Sequence, residues 1–535
     1  MLSLPCDVVD RIISFLPQSD VIALACSQKK FLEPCMRKLY RKIYVRRNPN
    51  LHDDGWFVES LRTEVSGLSS MFKREDQNDY LIYLKCAVLV ESLAKYGHYV
   101  REFTIYDAVF TEDGDAECLG SVIDALKKCC PNIEKLNVFD ERVKAFNTPS
   151  MKNCITDDLG EIAGLQPLES LTLKLHKYSE ALNLPPLDKL ASLKELIVVD
   201  EEFASLRLFK RLSDAGMAKL NLNRLVFDHT HGVNDYNTAL RELTSEFIDN
   251  CIELSSLKEL EMTVGCQEEG CACLRTFLDD IAPKLTSLEK VSFQEYTFQK
   301  DHYLTEEWDV DVGRFLLNIP SKIRYLSVRH NPPLDGKLLN ALEGNYLRRR
   351  KLYENIVPHL KDLEVFICPT FLQSCACYEI LPSDLLWNGC ECAFCSKFLP
   401  LYDKYLQDHA YFDTDDGDFK DMISPRLFGL FGWELCHRMQ NQYDLNALST
   451  PPTVTYWDFH GFQHISCFND VKECDFNKIL FEPLAICVSH FMLDSVKFLV
   501  KNCPKLNTVV LTGIYFTVDS GEVRCVYDSE DTFVY

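Results

Sequence analysis

Five cysteines between residues 375 and 395 have a spacing that suits zinc binding. One residue separates Cys375 from Cys377, and after twelve further residues come Cys390, Cys392 and Cys395. Zinc is held in proteins by four thiolates or imidazoles in a tetrahedron, and close pairs of cysteines on two tight turns supply such ligands. We predict one structural zinc ion held by Cys377, Cys390, Cys392 and Cys395, with Cys375 as the closest substitute.

Alternatives remain open for this group of cysteines. Five thiols exceed what one ion needs, so one of them is spare, or His409 and Cys436 also take part. The second interpretation is a group of buried reduced thiols, because cysteine is a common small core residue. A RING domain is excluded, since its two cross-braced zinc sites need more ligands than lie in register here.

The other candidate sites carry weaker signals. Cys266, Cys271 and Cys273 offer only three local ligands, so we interpret them as thiols in a loop, with a metal site as the alternative. In the acidic segment 413–418, the glycine and the glutamate of a calcium-binding loop are not at the required positions. We therefore predict a solvated acidic loop there. An enzyme with a catalytic zinc in the cysteine-rich insertion is a further alternative, which needs an open coordination position and a nearby carboxylate base. A closed site of four thiolates argues against it. With no phosphate-binding, nucleophile-elbow or dinucleotide motif, the sequence predicts a non-enzymatic protein without an organic cofactor.

Composition narrows the classes of partner. The 535 residues carry a net charge of −23, which argues against nucleic acid because phosphate binding relies on basic surface. The same charge disfavours an anionic membrane surface, and no long apolar run predicts a membrane span. No secretory signal is visible. We therefore expect a cytoplasmic or nuclear protein whose 24 cysteines are reduced thiols or metal ligands.

The N-terminal residues are predicted to form three helices with an apolar face that other residues must cover. Pro17 ends a first helix, Asp20 begins a second and Pro34 begins a third. Three short helices bury too little surface to be stable alone, so the rest of the chain or another protein must cover their apolar face. The first helix is predicted by apolar residues at intervals of three and four, namely Leu4, Val8, Ile12, Ile13, Phe15 and Leu16.

The order of residues from Leu4-Pro5 through Asp20 to Cys26 resembles the F-box, a helical module that docks onto the Skp-type adapter of cullin-based ubiquitin ligases. The resemblance covers residues 3–45 and departs from the usual pattern after Cys26. The alternative is an N-terminal cap on the larger domain. The resemblance implies that the adapter is bound by Leu4, Pro5, Val8, Ile12, Ile13, Leu16 and Leu24.

A second pattern recurs nine times between residues 99 and 370, at intervals of 25 to 37 residues. Each copy has three apolar residues, the second three positions after the first and the third two positions after the second, as in Leu288, Val291 and Phe293. A strand and a helix repeated at this interval indicate a solenoid, with an ordinary α/β sheet as the alternative. The stretch resembles the long, irregular leucine-rich repeats of F-box proteins.

Strand alternation assigns the residues between the apolar positions to an open face that suits a protein partner. The resemblance implies a substrate-recognition subunit of a Skp–cullin–F-box ubiquitin ligase, whose repeats bind a client protein. The alternative is an adapter-bound repeat scaffold without a ligase role. The predicted client-binding residues are Lys135, Asn137, Thr172, Lys174, Glu259, Glu261, Tyr325, Arg329, Glu364 and Phe366.

These predictions together describe an α/β protein with an N-terminal three-helix F-box and a β/α solenoid that carries a cysteine-rich insertion. The predicted domains are an F-box at 1–46, a linker and capping helix at 47–98, the solenoid at 99–370, the insertion with its zinc site at 371–450, and terminal repeats with a cap at 451–535.

Overall fold

Helices precede the first strand, and mostly parallel strands follow along the rest of the chain. The structure is a computed structural model and is mixed α/β, as predicted. The chain divides into two units, with described residues up to Val199 in the first and those from Asp200 onward in the second. The structure describes residues 5–16, 18–45, 63–65, 79–105, 115–138, 150–156, 167–175, 189–200, 204–231, 244–268, 270–296, 302–330, 349, 351–368, 390–400, 478–511 and 514–525.

The first unit begins with three helices, α1 (Cys6–Ser14), α2 (Gln18–Ser27) and α3 (Lys29–Arg41). We predicted that Pro34 begins the third helix, but Pro34 lies inside α3. The physical reason is that Phe31, Cys35 and Leu39, spaced by four, share one buried face. That shared burial stabilises a helix that starts before the proline.

The first unit continues with a four-stranded parallel sheet in the order β2-β1-β3-β4. The apolar spacing predicts a helix over residues 79–96, with Leu81, Leu84, Val88 and Leu93 facing inward. In the helix α4 (Asp79–Tyr96), Leu93 is buried, whereas Leu84 and Val88 are exposed. The core-facing residues are instead Leu89 and Cys86, which lie one and two turns before Leu93. The elements are β1 (Lys42–Val45), β2 (Thr63–Val65), α4 (Asp79–Tyr96), β3 (Glu102–Ile105), α5 (Asp115–Cys129), β4 (Lys135–Asn137), β5 (Asn153–Thr156), β6 (Ser170–Leu175) and β7 (Glu195–Asp200).

In the second unit, six parallel strands lie in chain order and an antiparallel hairpin follows them. Ser520 and Gly521 both have positive φ, of 52° and 86°, as the tight turn of a two-residue hairpin requires. The strands are β8 (Arg224–His231), β9 (Glu259–Cys266), β10 (Lys290–Glu295), β11 (Tyr325–Arg329), β12 (Val365–Cys368), β13 (Thr508–Leu511), β14 (Ile514–Asp519) and β15 (Glu522–Cys525).

Helices lie between most of these strands, as the repeat pattern predicts. No helix among the described residues is long and apolar enough to cross a bilayer. Residues 351–356 and 393–400 are also helical. The named helices of this unit are α6 (Ala204–Asp214), α7 (Glu246–Cys251), α8 (Cys273–Ile281), α9 (His302–Asn318) and α10 (Lys478–Asn502).

The apolar residues at the centre of each repeat form one buried column across the parallel strands. Leu260 of β9 pairs with Val291 of β10, which pairs with Leu326 of β11. The next residue in this column is Phe366, which pairs with Leu326 and is buried. The prediction that Phe366 lies on the open face is therefore wrong. Because side chains alternate along a strand, a shift of the repeat frame moves a residue to the other face.

Candidate functional site

Helix α1 carries two apolar stripes, which face in different directions. The inner stripe is Val9, Ile13 and Leu16, which pack into the core of the three N-terminal helices. The outer stripe is Val8, Ile12 and Phe15, of which Val8 is 38% and Phe15 71% exposed. Both stripes follow the three- and four-residue spacing of a helix, so the sequence pattern cannot separate them. The outer stripe is an apolar surface that the described part of this chain leaves uncovered.

The structure separates the predicted adapter-binding residues into two groups. Pro5 and Val8 are exposed, and Ile12 is partly exposed beside them. Ile13 is 1% exposed and belongs to the module's own core, so its predicted contact with an adapter is wrong. Leu16 and Leu24 are partly buried against the same core. Leu4 lies outside the described residues.

Two exposed apolar side chains extend the outer surface beyond our prediction. Phe15 is a large aromatic group on the outer stripe of α1, and Ile22 on α2 is 46% exposed. Exposed large apolar residues that cluster are typical of protein-binding surfaces. The signal in the sequence was the spacing of Phe15 from Val8 by seven residues, which is two helical turns.

The three N-terminal helices are held together by polar contacts as well as by their core. The Nζ atom of Lys38 in α3 donates to the main-chain oxygen atoms of Ser14 and Leu16, at 2.9 and 2.6 Å. These carbonyl groups follow the end of α1, where main-chain acceptors lack helical partners. Arg37 also forms an ion pair with Asp10 at 3.3 Å. α3 therefore fixes the position of α1 and of its outer stripe.

A cysteine–histidine cluster lies in the second unit. The ligand atoms of Cys390, Cys392, Cys395 and His490 all lie within 4.8 Å of one another. His490 Nδ1 is 3.5 Å from Cys392 Sγ and 3.2 Å from Cys395 Sγ. The histidine comes from helix α10, about a hundred residues after the cysteines, so local spacing could not identify it. Three thiols and one imidazole in this arrangement could hold a metal ion.

Local hydrogen bonds prepare one of these thiols for metal binding. Burial raises the pKa of Cys392, but hydrogen bonds from the main chain of Cys395 and from the thiols of Cys390 and Cys395 outweigh burial and lower that pKa to about 7. Thiolate, rather than thiol, is the form that binds metal. The main-chain N–H of Cys395 donates to Cys392 Sγ at 3.4 Å.

The structure brings three of the predicted ligands together. Cys390, Cys392 and Cys395 lie close to one another, and His490 joins them. Cys375 and Cys377 lie outside the described residues. Among the described residues, the cluster therefore holds three thiols and one imidazole that could bind a metal ion.

Another group of potential ligands, Glu295, Asp309 and His330, is explained by a buried cation. Arg349 is fully buried and donates to Glu295 at 2.8 Å and to Asp309 at 3.4 Å. The guanidinium group already occupies the space between the two carboxylates and offsets one of their two negative charges. We interpret this group as a buried ion network and not as a metal site.

The predicted client-binding residues differ in their exposure. Thr172 and Phe366 are buried, whereas Lys135, Asn137, Glu259, Glu261, Tyr325 and Glu364 are partly exposed. For Lys174 and Arg329 the structure describes only the main chain.

Charged residues of this sheet are paired with their neighbours across the strands. Arg324 donates to both carboxylate oxygens of Glu364 at 2.8 Å. Arg224 lies 3.7 Å from Glu259 and 3.4 Å from Glu261. The charges of Glu259, Glu261 and Glu364 are therefore already partly neutralised by neighbouring arginines.

Comparison with known proteins agrees with the N-terminal resemblance. No protein-family model matches the chain. Over 532 aligned residues the chain is 36% identical to a protein of Saccharomyces cerevisiae described as the non-SCF-type F-box protein ROY1, and the alignment covers 94% of this chain and 95% of that protein. Identity of this extent, along nearly the whole length of both chains, shows common descent. The chain belongs to the family of F-box proteins.

Proposed function

We propose that the chain binds a Skp-type adapter through the outer stripe of α1 and binds a second protein through its parallel sheet. The observation that carries this proposal is the exposure of Val8 and Phe15, with Ile12 partly exposed beside them, in a member of the F-box family. Burial of each such side chain contributes about 1.5–3 kcal/mol before the cost of association.

The chain itself performs no bond chemistry under this proposal. It acts as a receptor or scaffold whose strands and helices form a leucine-rich-repeat-like array. The consecutive parallel strands and the continuous column of buried apolar residues support that assignment. The proposal places the protein in the cytoplasm or nucleus, where its cysteines stay reduced. Neither nucleic acid nor a membrane is among the proposed partners.

We favour a role outside a cullin-based ligase over the role of a ligase receptor. The support is the relative's description as a non-SCF-type F-box protein. The alternative, a substrate-recognition subunit that brings a client to a ubiquitin ligase, uses the same adapter contact. The two proposals differ in whether a cullin joins the complex.

Co-purification of the full-length chain tests the adapter contact. Val8→Asp and Phe15→Asp together place two charges on the outer stripe, and we expect recovery of the Skp-type adapter to fall at least about tenfold. The matched control is Val310→Asp in α9, where the valine is 52% exposed and thus comparably accessible. Unchanged adapter recovery with the double variant would contradict the proposal.

The same experiment discriminates the two roles. A cullin that co-purifies in proportion to the adapter supports the ligase receptor. Adapter recovery without cullin supports the scaffold outside a ligase.

We also propose that the cluster of Cys390, Cys392, Cys395 and His490 binds one structural zinc ion. The ligand types and the approach of His490 Nδ1 to two sulfur atoms support it. Removal of Cys395 by substitution with serine is expected to lower the zinc content of the purified chain by one equivalent. Equal zinc content in the two proteins would overturn the assignment.

A further inference from the structure

A second cysteine–histidine cluster lies at the carboxyl ends of two neighbouring strands. His231 ends β8 and Cys266 ends β9, and the two residues are directly paired in the parallel register. Cys273 is the first residue of α8. Gly270 has a φ of 70°, in the left-handed region that favours glycine, and this bend brings the chain back so that Cys271 joins the group.

The distances within this cluster match the edges of a zinc tetrahedron. His231 Nδ1 lies 3.2 Å from Cys266 Sγ, 3.8 Å from Cys271 Sγ and 3.4 Å from Cys273 Sγ. All four ligand atoms lie within 4.8 Å of one another. Zn–S bonds of about 2.3 Å and Zn–N bonds of about 2.0 Å at tetrahedral angles separate nitrogen from sulfur by roughly 3.5 Å. The space between the four atoms therefore fits one ion.

Hydrogen bonding alone does not account for the arrangement. The Nδ1 atom of a neutral imidazole either donates one hydrogen or accepts one, so it satisfies a single sulfur partner. Here three sulfur atoms converge on that atom. A cation at the centre explains all three approaches at once.

The other ring nitrogen supports the same orientation. His231 is 1% exposed, and its Nε2 atom is buried without a hydrogen-bond partner among the described residues. Glu268 Oε2 lies 3.8 Å from Nε2. When Nδ1 binds a metal, Nε2 carries the hydrogen, and a carboxylate next to it is the usual outer partner of a metal-bound histidine.

The position of Cys273 favours a negatively charged ligand. The first turn of a helix has main-chain N–H groups without helical partners, and the helix dipole stabilises an anion there. A thiolate at the first residue of α8 is therefore stabilised. Gly265 precedes Cys266, and a Cβ atom at Gly265 would lie 1.8 Å from the main-chain oxygen of Tyr296, so the strand that presents Cys266 is tightly held.

We propose that His231, Cys266, Cys271 and Cys273 bind a structural zinc ion, separate from the ion assigned to the Cys390 cluster. Three thiolates and one imidazole are the ligands of a closed structural zinc site, with no position left for substrate. The ion joins the ends of β8 and β9 to the start of α8, across 42 residues of sequence between His231 and Cys273. It acts as a cross-link between consecutive repeats of the second unit.

Zinc content of the full-length chain tests this site. We expect His231→Ala to remove one equivalent of zinc and His231→Cys to retain it, because a thiolate replaces the imidazole. The matched control is His229→Gln in the same strand, where the histidine is also buried but contacts Phe247 and Phe277, each with ring centroids 4.8 Å away. The control should keep all of its zinc. Full zinc content in His231→Ala would overturn the proposal.

A second measurement on the unaltered chain does not depend on the folding of a variant. Alkylation followed by peptide mass spectrometry is carried out with bound zinc and after removal of zinc by a chelator. We expect the labelling rates of Cys271 and Cys273 to rise at least tenfold without zinc, while Cys35, buried among the N-terminal helices, stays unchanged. Equal labelling of Cys271 with and without chelator, or a disulfide within the cluster, would refute the site.

The two zinc assignments can be tested independently of each other. Cys395→Ser reports on the first cluster and His231→Ala on the second, so loss of one equivalent in each variant supports both. A chain whose zinc depends on Cys395 alone retains the first assignment and overturns the second.

Discussion

The side-chain amide of Asn153 forms two hydrogen bonds with the main chain of Leu136. Asn153 Oδ1 accepts from the Leu136 N–H and Asn153 Nδ2 donates to the Leu136 oxygen, each at 3.0 Å. The Asn153 side chain therefore supplies the main-chain hydrogen bonds that a neighbouring strand would give to Leu136 of β4. A buried main-chain group without such a partner costs free energy comparable to a lost hydrogen bond.

Asn153→Asp is predicted to weaken this part of the first unit. A carboxylate cannot donate to the Leu136 oxygen, so we expect a loss of about 1–3 kcal/mol in local stability. Hydrogen exchange measured by mass spectrometry on a peptide that contains β4 checks this. Asn132→Asp is the control, since Asn132 donates to His98 from an exposed position and should change exchange little. Slow, unchanged exchange in Asn153→Asp would contradict the prediction.

Ile13 and Val8 should respond differently to truncation. Ile13→Ala leaves a cavity in the core of α1, α2 and α3, and we expect about 2–4 kcal/mol of destabilisation. Val8→Ala removes an exposed group and should cost less than about 0.5 kcal/mol, while it weakens adapter binding. Exchange of the α1 amides and adapter capture, measured on both variants, separate the two effects. Equal protection of α1 in both variants would show that the inner stripe does not support the module.

Arg349→Met is predicted to destabilise the second unit strongly. The substitution leaves Glu295 and Asp309 buried without their cation, at a cost of about 3–5 kcal/mol. Replacing Glu295 with Leu in the same chain should recover part of the loss, because it removes one of the two unpaired charges. Thermal unfolding of the three proteins provides the measurement. No recovery in the double variant would show that the network is not coupled through charge.

His229 is predicted to make stability depend on pH. Burial lowers the pKa of His229 to about 3 from 6.5, and its Nε2 atom accepts a hydrogen bond from the Thr244 N–H. Between these two pH values the unfolded chain binds a proton that the folded chain does not. The stabilisation is therefore complete above about pH 6.5 and is lost progressively as the pH falls toward 3.

The pH effect amounts to about 2–3 kcal/mol at pH 4.5, two pH units below the pKa of the unfolded histidine. His229→Gln keeps an acceptor for Thr244 and cannot titrate, so its unfolding free energy should fall less between pH 7 and 4.5. Denaturant unfolding at the two pH values checks this. Parallel pH dependence in both proteins would mean that His229 does not carry the effect.

Local patterns in the sequence predict those features that depend on neighbouring residues. The boundaries of α4 and the burial of Val291 or Leu326 follow from periodicity, because a helix or strand buries residues at a fixed spacing. The face on which Phe366 lies was assigned wrongly because Leu360 and Leu363 also fit the apolar pattern. Only the pairing of β12 with β11 shows which residues of β12 continue the buried column.

The metal ligands could be predicted only in part, for a related reason. The cysteines lie close together in sequence, and their spacing is visible there. His490 and His231 reach their clusters through the packing of α10 and the pairing of β8 with β9. Such long-range partners leave no signal in local spacing. The division of α1 into two stripes likewise depends on where α3 packs.

The hairpin of β14 and β15 determines how the sheet of the second unit ends. β13 is buried along its whole length, whereas β15 exposes the charged side chains of Glu522 and Arg524. An uncovered apolar edge strand is a template on which another chain can add its own strand. Among the described residues, the turn at Ser520 and Gly521 therefore gives this sheet a charged edge strand, which opposes strand addition by another copy of the chain.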